Sequence, residues 1–308
     1  MTPGSAAAQP GMQSVARLMR LAAYASVTTA GLLILVKLGA WWLTDSVSLL
    51  SSLIDSLLDA TASVIMLLAV RTATTPADEE HRFGHGKAEA LASLAQAALI
   101  TGSAIFLLAE AGQRLFSPQG IQHSDIGIAV MVFSIVLTFA LTRFQAYVVR
   151  QTRSLAIESD SIHYLSDLLM NAAVILALVL TAQFGWRFAD PVIALAIAAF
   201  ILFSAGRIGW KAYNMLMDRE LPPEEQERIR AIVKQHGDVR GLHDLRTRRA
   251  GPQVFIQLHL EMDGGMSLYR AHAVADAVEA DLQTAFPGAE VIIHQDPSLL
   301  EEERTGFV

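Results

Sequence analysis

The stretch IDSLLD, residues 54–59, places two aspartates in the middle of an apolar run. Asp55 and Asp59 are four residues apart, so an α-helix stacks them one turn apart on the same face. A carboxylate inside a membrane segment costs about 2.5 to 3.5 kcal/mol on insertion scales, and it therefore needs a partner or a water-filled path. The run predicts a membrane helix that carries a functional acidic pair.

A second polar pair has the same spacing. In HYLSD, residues 163–167, His163 and Asp167 again lie four residues apart in apolar sequence. Two such pairs facing each other offer one imidazole and three carboxylates, a tetrahedral set that suits Zn²⁺, with Fe²⁺, Mn²⁺, Co²⁺ and Cd²⁺ as competitors. Because three carboxylates close together require a cation or protons, metal and protons should compete for these atoms. The alternative is that all four side chains are packing polar groups.

Three polar residues near these pairs have simpler interpretations. Asn171, one turn beyond Asp167, is as well suited to orienting a ligand as to joining two helices. Asp160 is predicted to be an N-terminal residue of its helix rather than a ligand. Lys37 is expected to extend toward the outer membrane interface.

The whole chain has the composition of a membrane protein. Of its 308 residues, 53% are hydrophobic and 17% are charged, whereas about a quarter are charged in soluble proteins. Six apolar segments have the length of roughly twenty residues that a membrane helix needs. They lie at about 17–42, 46–71, 89–113, 124–149, 160–184 and 188–211.

The character of the sequence changes after Asp218, where LPPEEQERIRAIVKQH begins a charged helix marked by proline. Two strand-like segments around a GP turn, an amphipathic helix and a short strand follow, which predicts an α+β domain of order αββαβ, with helices on one face of the sheet. We therefore predict a disordered tail at 1–14, a six-helix transmembrane domain at 15–219 and a soluble α+β domain at 220–308.

Charge and cysteine content narrow the location and the partners. Lysine and arginine are concentrated in alternate loops, so the positive-inside rule places both termini in the cytoplasm. The absence of cysteine excludes disulfides and thiolate metal sites. Together these features fit a bacterial inner membrane. The net charge of −7 disfavours nucleic acid as a partner.

Two further groups of potential metal ligands lie outside the spans. In PADEEHRFGHGKAE, residues 76–89, the residues Asp78, His81 and His85 are spaced like a metal clip, although an ordinary solvated loop would look similar. The C-terminal region carries His243, His259, His272, His294 and Asp296. Each alone could be a surface residue, and only the number of histidines favours a metal site.

Several strings together resemble the cation diffusion facilitator family, in particular its bacterial ferrous-iron and zinc efflux branch. They are LIDSLLDATAS, PADEEHRFGHGKAEALA, ESDSIHYLSDLLMN, LMDRELP, HDLRTRRAGP, FIQLHLEM and VIIHQDP. The resemblance implies a homodimeric, proton-coupled exporter of Zn²⁺, with Fe²⁺ and Cd²⁺ as alternative substrates. It also implies six transmembrane helices and a cytoplasmic ferredoxin-like, metallochaperone-like domain.

The resemblance also implies roles for individual residues. By position, Asp55, Asp59, His163 and Asp167 match the family's transport site, and Asp78, His81 and His85 match its loop site. His243, His259, His272, His294 and Asp296 match a binuclear cytoplasmic site that helps join two protomers, and Lys87 and Asp218 match a charge pair between the membrane and soluble parts. Asp55 stands where zinc-restricted members have histidine, which predicts cadmium tolerance. His123 and His236 match no ligand and are expected at the surface.

Three rival functions make different predictions. An intramembrane metalloprotease would carry HExxH, which the sequence lacks, and four protein ligands would leave no position for a catalytic water. A metal sensor or structural dimer would show no metal flux across a sealed bilayer. A manganese exporter is disfavoured by the imidazole. We therefore expect a secondary transporter, not an enzyme, that works by alternating access.

Overall fold

The computed structural model describes residues 10–45, 47–116, 125–186 and 188–298. Six long helices come first: α1 (Pro10–Thr44), α2 (Val47–Ala73), α3 (Lys87–Phe116), α4 (Asp125–Thr152), α5 (Leu155–Phe184) and α6 (Ala189–Leu216). They are followed by α7 (Pro223–Val233), β1 (Gly241–Ala250), β2 (Gln253–Met262), α8 (Leu268–Ala285) and β3 (Glu290–Pro297). One compact unit is Val15–Leu216, and the other combines the chain from Met217 onward with the residues before Val15.

The long helices have the dimensions of membrane spans. Among the described residues, five of them are long and apolar enough to cross a bilayer, namely α1, α2, α3, α4 and α6. The remaining helix, α5, has 30 residues, which corresponds to about 45 Å against about 30 Å of hydrocarbon. Its first half carries Glu158, Asp160, His163 and Asp167, and its second half is mainly apolar. The predicted multi-pass helical membrane domain is confirmed.

The burial pattern of this unit is the one that lipid favours. Large apolar side chains point outward, with Leu35 65%, Phe106 72% and Phe203 70% exposed. The buried positions include small and polar side chains such as Ser26 and Gln145. Since lipid tails are as apolar as leucine, helices associate through close packing and interhelical hydrogen bonds rather than through burial of apolar area.

Two predicted positions near helix starts are wrong. Helix α1 begins at Pro10, so residues 10–14 are helical rather than a disordered tail, because proline lacks the N–H that a first helical turn leaves unsatisfied. Residues 1–9 of that predicted tail lie outside the described part of the chain. Helix α5 begins at Leu155, so Asp160 lies in its second turn and is fully buried, rather than at its N-terminus.

The C-terminal region has the predicted αββαβ order. Helix α7 starts with proline and has Glu224 and Glu225 in its first turn, where carboxylates complement the helix dipole. Strands β1 and β2 are antiparallel and are connected through Gly251, whose φ of +58° suits glycine. Helix α8 then leads to β3, which pairs parallel with β2.

The three-stranded sheet is apolar on one face only. Leu258 and Leu260 of β2 are buried in one core with Ile229 of α7 and Leu282 of α8. Successive side chains of a strand point to opposite faces, so His259 lies on the face away from these helices. The sheet therefore holds its polar residues on a face that the helices do not cover.

Candidate metal centres

The first cluster joins helices α2 and α5. Asp59, His163 and Asp167 each offer a ligand atom within 4.8 Å of the others. His163 Nε2 lies 3.2 Å from Asp59 Oδ1 and 4.0 Å from Asp167 Oδ2. This nitrogen is buried and has no hydrogen-bond partner among the described residues. An imidazole nitrogen that lies between two carboxylates is a donor set that a divalent cation fits.

Asp55 is not part of this cluster. It lies one helical turn before Asp59, as its spacing requires, but it is exposed. Four residues exceed one turn of 3.6 residues, so Asp55 is rotated around the helix relative to Asp59. The structure brings together three of the four predicted transport ligands, and Asp55 reaches the cluster only if its side chain or α2 moves.

Lys37 of α1 does not extend toward the membrane interface, which contradicts the prediction. Its Nζ donates to Ser56 Oγ at 2.7 Å and to the main-chain oxygen of Ser52 at 3.1 Å, both on α2. The two acceptors lie on the helix that also carries Asp59. The hydrogen bonds available on α2 therefore hold the ammonium group within the bundle.

A buried polar network lies beside this first cluster, and of its members only Asp160 was a candidate from the sequence. Tyr164 Oη donates to the main-chain oxygen of Ser26 at 3.1 Å and shares a 2.8 Å hydrogen bond with Ser63 Oγ. Asp160 Oδ2 accepts from Ser26 Oγ at 2.5 Å and from Gln145 Nε2 at 2.7 Å. These bonds join α1, α2, α4 and α5. Polar residues in otherwise apolar spans were the signal that could have identified them.

Asn171 on α5 and Glu89 on α3 both form hydrogen bonds with the main chain of α5. Asn171 Nδ2 donates to the main-chain oxygen of Asp167 at 2.9 Å, so among the described residues its amide nitrogen bonds to its own helix and not to the carboxylate of Asp167. Glu89 of α3 is fully buried, and it accepts hydrogen bonds from Ser154 Oγ at 2.9 Å and from Leu155 N at 3.1 Å. A carboxylate at a helix N-terminus satisfies free N–H groups and complements the dipole, so Glu89 fixes the start of the helix that carries His163.

The second cluster lies in the loop between α2 and α3. Asp78, His81 and His85 place ligand atoms within 4.8 Å of one another. Asp78 Oδ1 lies 3.3 Å from His81 Nδ1, and Asp78 Oδ2 lies 3.3 Å from His85 Nε2. Gly84 has a φ of +73°, a conformation that glycine adopts without strain and that turns the chain between the two histidines. The three residues predicted from their spacing do meet.

Main-chain hydrogen bonds fix the charge of Asp78. Its Oδ1 accepts from His81 N at 2.6 Å and from Glu80 N at 3.0 Å. The His81 N–H bond, followed by the neighbouring imidazoles, lowers the pKa of Asp78 below its ordinary value, because these donors favour the ionised form. The carboxylate is therefore ionised at neutral pH.

The third cluster is built by strand register. His243, His259 and His294 are directly paired across β1, β2 and β3, and Glu261 is paired with Asp296 one alternation further along. Residues two apart on a strand share a face, so all five side chains project from the same side of the sheet. The sequence contained these residues but not the register that aligns them.

Asp296 is the centre of this third cluster. Its Oδ2 lies 2.8 Å from His259 Nδ1 and 3.4 Å from His243 Nε2, while its Oδ1 lies 3.0 Å from His294 Nε2. Its side chain is only 9% exposed. Glu261, which the sequence analysis did not include, lies 3.0 Å from His243 Nδ1. A carboxylate whose two oxygens face different imidazoles has the chemistry to join two metal ions.

The other residues predicted from the sequence are not members of these three clusters. His272 lies on α8, is 68% exposed and is 3.6 Å from Asp276, so the single chain does not bring it to Asp296. Lys87 donates to the main-chain oxygen of Leu216 at 3.4 Å, and Asp218 contacts Arg248 at 3.2 Å. Lys87 and Asp218 belong to different compact units. His236 is partly buried and lies 3.1 Å from Asp281, and His123 lies outside the described residues.

Comparisons with known proteins cover nearly the whole chain. Residues 23–217 match the cation efflux transmembrane domain, and residues 221–298 match the cation efflux protein, cytoplasmic domain. The cation-efflux pump FieF of Klebsiella pneumoniae is 50% identical over 286 residues, covering 93% of this chain and 95% of that protein. The FieF of Serratia proteamaculans is 49% identical, with coverage of 94% and 97%. A solved structure of CzrB in its zinc form is 44% identical, covers 28% of this chain and 99% of its own, and has a TM-score of 0.26.

Proposed function

Because the chain belongs to the cation diffusion facilitator, or cation efflux, family of membrane transporters, we propose that it exports divalent metal from the cytoplasm in exchange for protons. The observation that carries the proposal is the cluster of Asp59, His163 and Asp167, in which two membrane helices place a buried imidazole nitrogen among carboxylates. Zn²⁺ is the proposed substrate, with Fe²⁺ and Cd²⁺ as alternatives, since this donor set accepts all three.

The coupling to protons follows from the ligands themselves. An imidazole binds metal only in its deprotonated form, so each proton at His163 opposes metal binding. Facing the cytoplasm, the cluster loses protons and binds metal, with Asp55 as the proposed fourth ligand. Facing outward, higher proton activity returns protons to His163 and a carboxylate, and the metal leaves. Metal affinity at this site therefore falls as pH falls.

The other two clusters have proposed supporting roles. The sheet cluster around Asp296 would hold metal that stabilises a homodimer and adjusts activity to cytoplasmic metal; the match to the cytoplasmic domain of cation efflux proteins supports the homodimer alone. Replacing His243 and Asp296 by alanine is then expected to weaken this response without abolishing transport. The loop cluster around Asp78 would bind metal near the membrane surface. Lys87 and Asp218 are proposed to form a charge pair. The proposed location of the protein is a bacterial inner membrane, with both chain termini in the cytoplasm.

The decisive test is zinc flux into proteoliposomes that contain a metal-sensitive dye, with and without a pH gradient. Asp59→Ala is expected to abolish gradient-driven flux, because it removes the ligand of α2 nearest to His163. Asp45→Asn is the matched control: it removes a carboxylate that follows α1, and asparagine tolerates the φ of +48° found there.

The result also separates the rival functions. Flux that persists in Asp59→Ala would place the pathway elsewhere. Folded protein that binds zinc but moves neither zinc, iron nor cadmium would be a metal sensor. Flux that does not respond to a pH gradient would leave an exporter without proton coupling.

A further inference from the structure

Lys37 is held against the face of α2 that carries the transport ligand Asp59. Its Nζ donates to Ser56 Oγ and to the main-chain oxygen of Ser52 at 2.7 Å and 3.1 Å. Positions 52, 56 and 59 follow the spacing i, i+4, i+7, which places them along one stripe of a helix. The ammonium group therefore lies on the same stripe as Asp59, about one turn from it.

The charge of Lys37 acts on the carboxylates of the first cluster. Burial of Lys37 opposes its positive charge, while the negative charges of Asp59, Asp167 and Asp55, the three acidic residues of the proposed transport site, favour it. Lys37 is partly buried within the bundle rather than exposed to bulk water. In a partly buried site such interactions are screened much less than at a protein surface.

Counting formal charges gives this lysine a specific consequence. Three carboxylates and one divalent ion leave the loaded site with one negative charge, and one lysine cancels it. A net charge inside the membrane is costly, so the lysine reduces the cost of the loaded site. It stabilises the empty site, with its three negative charges, still more, and it therefore weakens binding of the metal ion. Such a group would moderate affinity in a site that must release its ion on the other side.

We propose that Lys37 is a fixed counter-charge of the transport site, which makes the metal-loaded site electrically neutral and limits how tightly the ion is held. This inference rests on the proposed function. The simpler alternative is that Lys37 only joins α1 to α2 through its two hydrogen bonds. That structural role predicts a less stable protein whose metal affinity is unchanged.

The test is a thermodynamic cycle in full-length protein in detergent, measured by zinc titration calorimetry. The transport-site ion is defined as the one lost in Asp59→Ala. Lys37→Gln removes the charge and keeps a hydrogen-bond donor, and we expect it to bind that ion at least about tenfold more tightly. Lys37→Arg keeps the charge and should stay within about threefold. If Lys37→Gln does not fold, Lys37→Met provides the second neutral variant.

The outcomes separate the claim about Lys37 from the claim about the transport site. Tighter binding in the neutral variants that disappears when Asp59→Ala is also present supports the counter-charge. Unchanged or weaker binding in the neutral variants, with Asp59→Ala still removing one ion, overturns the role of Lys37 and leaves the transport site intact. If Asp59→Ala binds as many ions as the unaltered chain, the proposed transport site fails and the inference about Lys37 fails with it.

Discussion

His163 on α5 and His259 on β2 each lie beside carboxylates, but their surroundings differ. His163 Nε2 has no hydrogen-bond partner among the described residues, and its nearest carboxylates, on two different helices, are 3.2 Å and 4.0 Å away. His259 Nδ1 lies 2.8 Å from Asp296, on a strand whose register is fixed by main-chain hydrogen bonds. A small shift of α2 against α5 separates the first set, whereas the second separates only if strand pairing breaks. We expect the helix cluster to exchange metal and the sheet cluster to retain it.

The largest effect on metal retention by the sheet cluster is expected from Asp296→Ala. Asp296 faces three imidazoles, so its loss should weaken zinc binding by the C-terminal cluster by more than the 10- to 100-fold typical of a residue that only orients a ligand. Thermal unfolding with and without zinc measures this, because a ligand at 100 times its Kd stabilises a folded protein by about 2.7 kcal/mol. Asp276→Ala, which removes an exposed carboxylate of α8, is the control. An unchanged zinc-dependent shift in Asp296→Ala would mean that the sheet cluster does not hold metal.

A smaller effect, on protein stability rather than on zinc flux, is expected from Asp160→Asn. This variant tests whether every acidic residue of α5 takes part in metal transport. Asparagine can still accept from Ser26 and Gln145, but its amide hydrogens would be buried without an assigned acceptor, at a cost of about 1 to 3 kcal/mol. The apparent melting temperature should fall, while zinc flux per folded protein stays within about threefold. Loss of flux from stable protein would instead place Asp160 in the transport machinery and remove the contrast between ligand and scaffold on this helix.

The smallest expected effect is the influence of pH on the loss of zinc affinity that Asp78→Asn causes at the loop cluster. The His81 N–H bond lowers the pKa of Asp78, so this carboxylate stays ionised as pH falls from 7 to 5, and any stabilisation from it is lost only below its ordinary pKa of about 3.9. Zinc loss from the loop over that range should therefore not depend on protonation of Asp78. Asp78→Asn should reduce affinity by the same factor at both pH values, measured in an Asp59→Ala, Asp296→Ala background. A factor that changes strongly with pH would show that Asp78 itself titrates.

Helical spacing was enough to predict parts of these clusters. Asp59, His163 and Asp167 meet because pairs four residues apart share a helix face, and Asp78, His81 and His85 meet because one short loop contains all three. The same rule did not predict that Asp55 lies outside the cluster, since sharing a face with Asp59 does not determine how α2 is rotated toward α5. Periodicity within one helix carries no information about that rotation.

Other features depended on pairing between distant segments. The alignment of His243, His259 and His294 comes from strand register, which the hydrophobic alternation of each strand does not specify for its partners. Lys37 was assigned to the interface because long cations usually extend there, but hydroxyl and carbonyl acceptors on α2 were available within the bundle. His272 remains outside the sheet cluster of the single chain, so its predicted role depends on contacts beyond one protomer.

The most direct measurement of the contrast between exchange and retention is zinc flux, driven by a pH gradient, in proteoliposomes that contain either His163→Ala or His259→Ala. Each variant removes one imidazole from a three-residue metal cluster, so the two are chemically matched. We predict that His163→Ala loses gradient-driven flux by at least about 100-fold, since no imidazole remains to exchange metal for protons. His259→Ala should retain flux within about threefold while it binds less zinc. Flux that survives in His163→Ala, or that disappears equally in both variants, would contradict the assignment of exchange to the helix cluster.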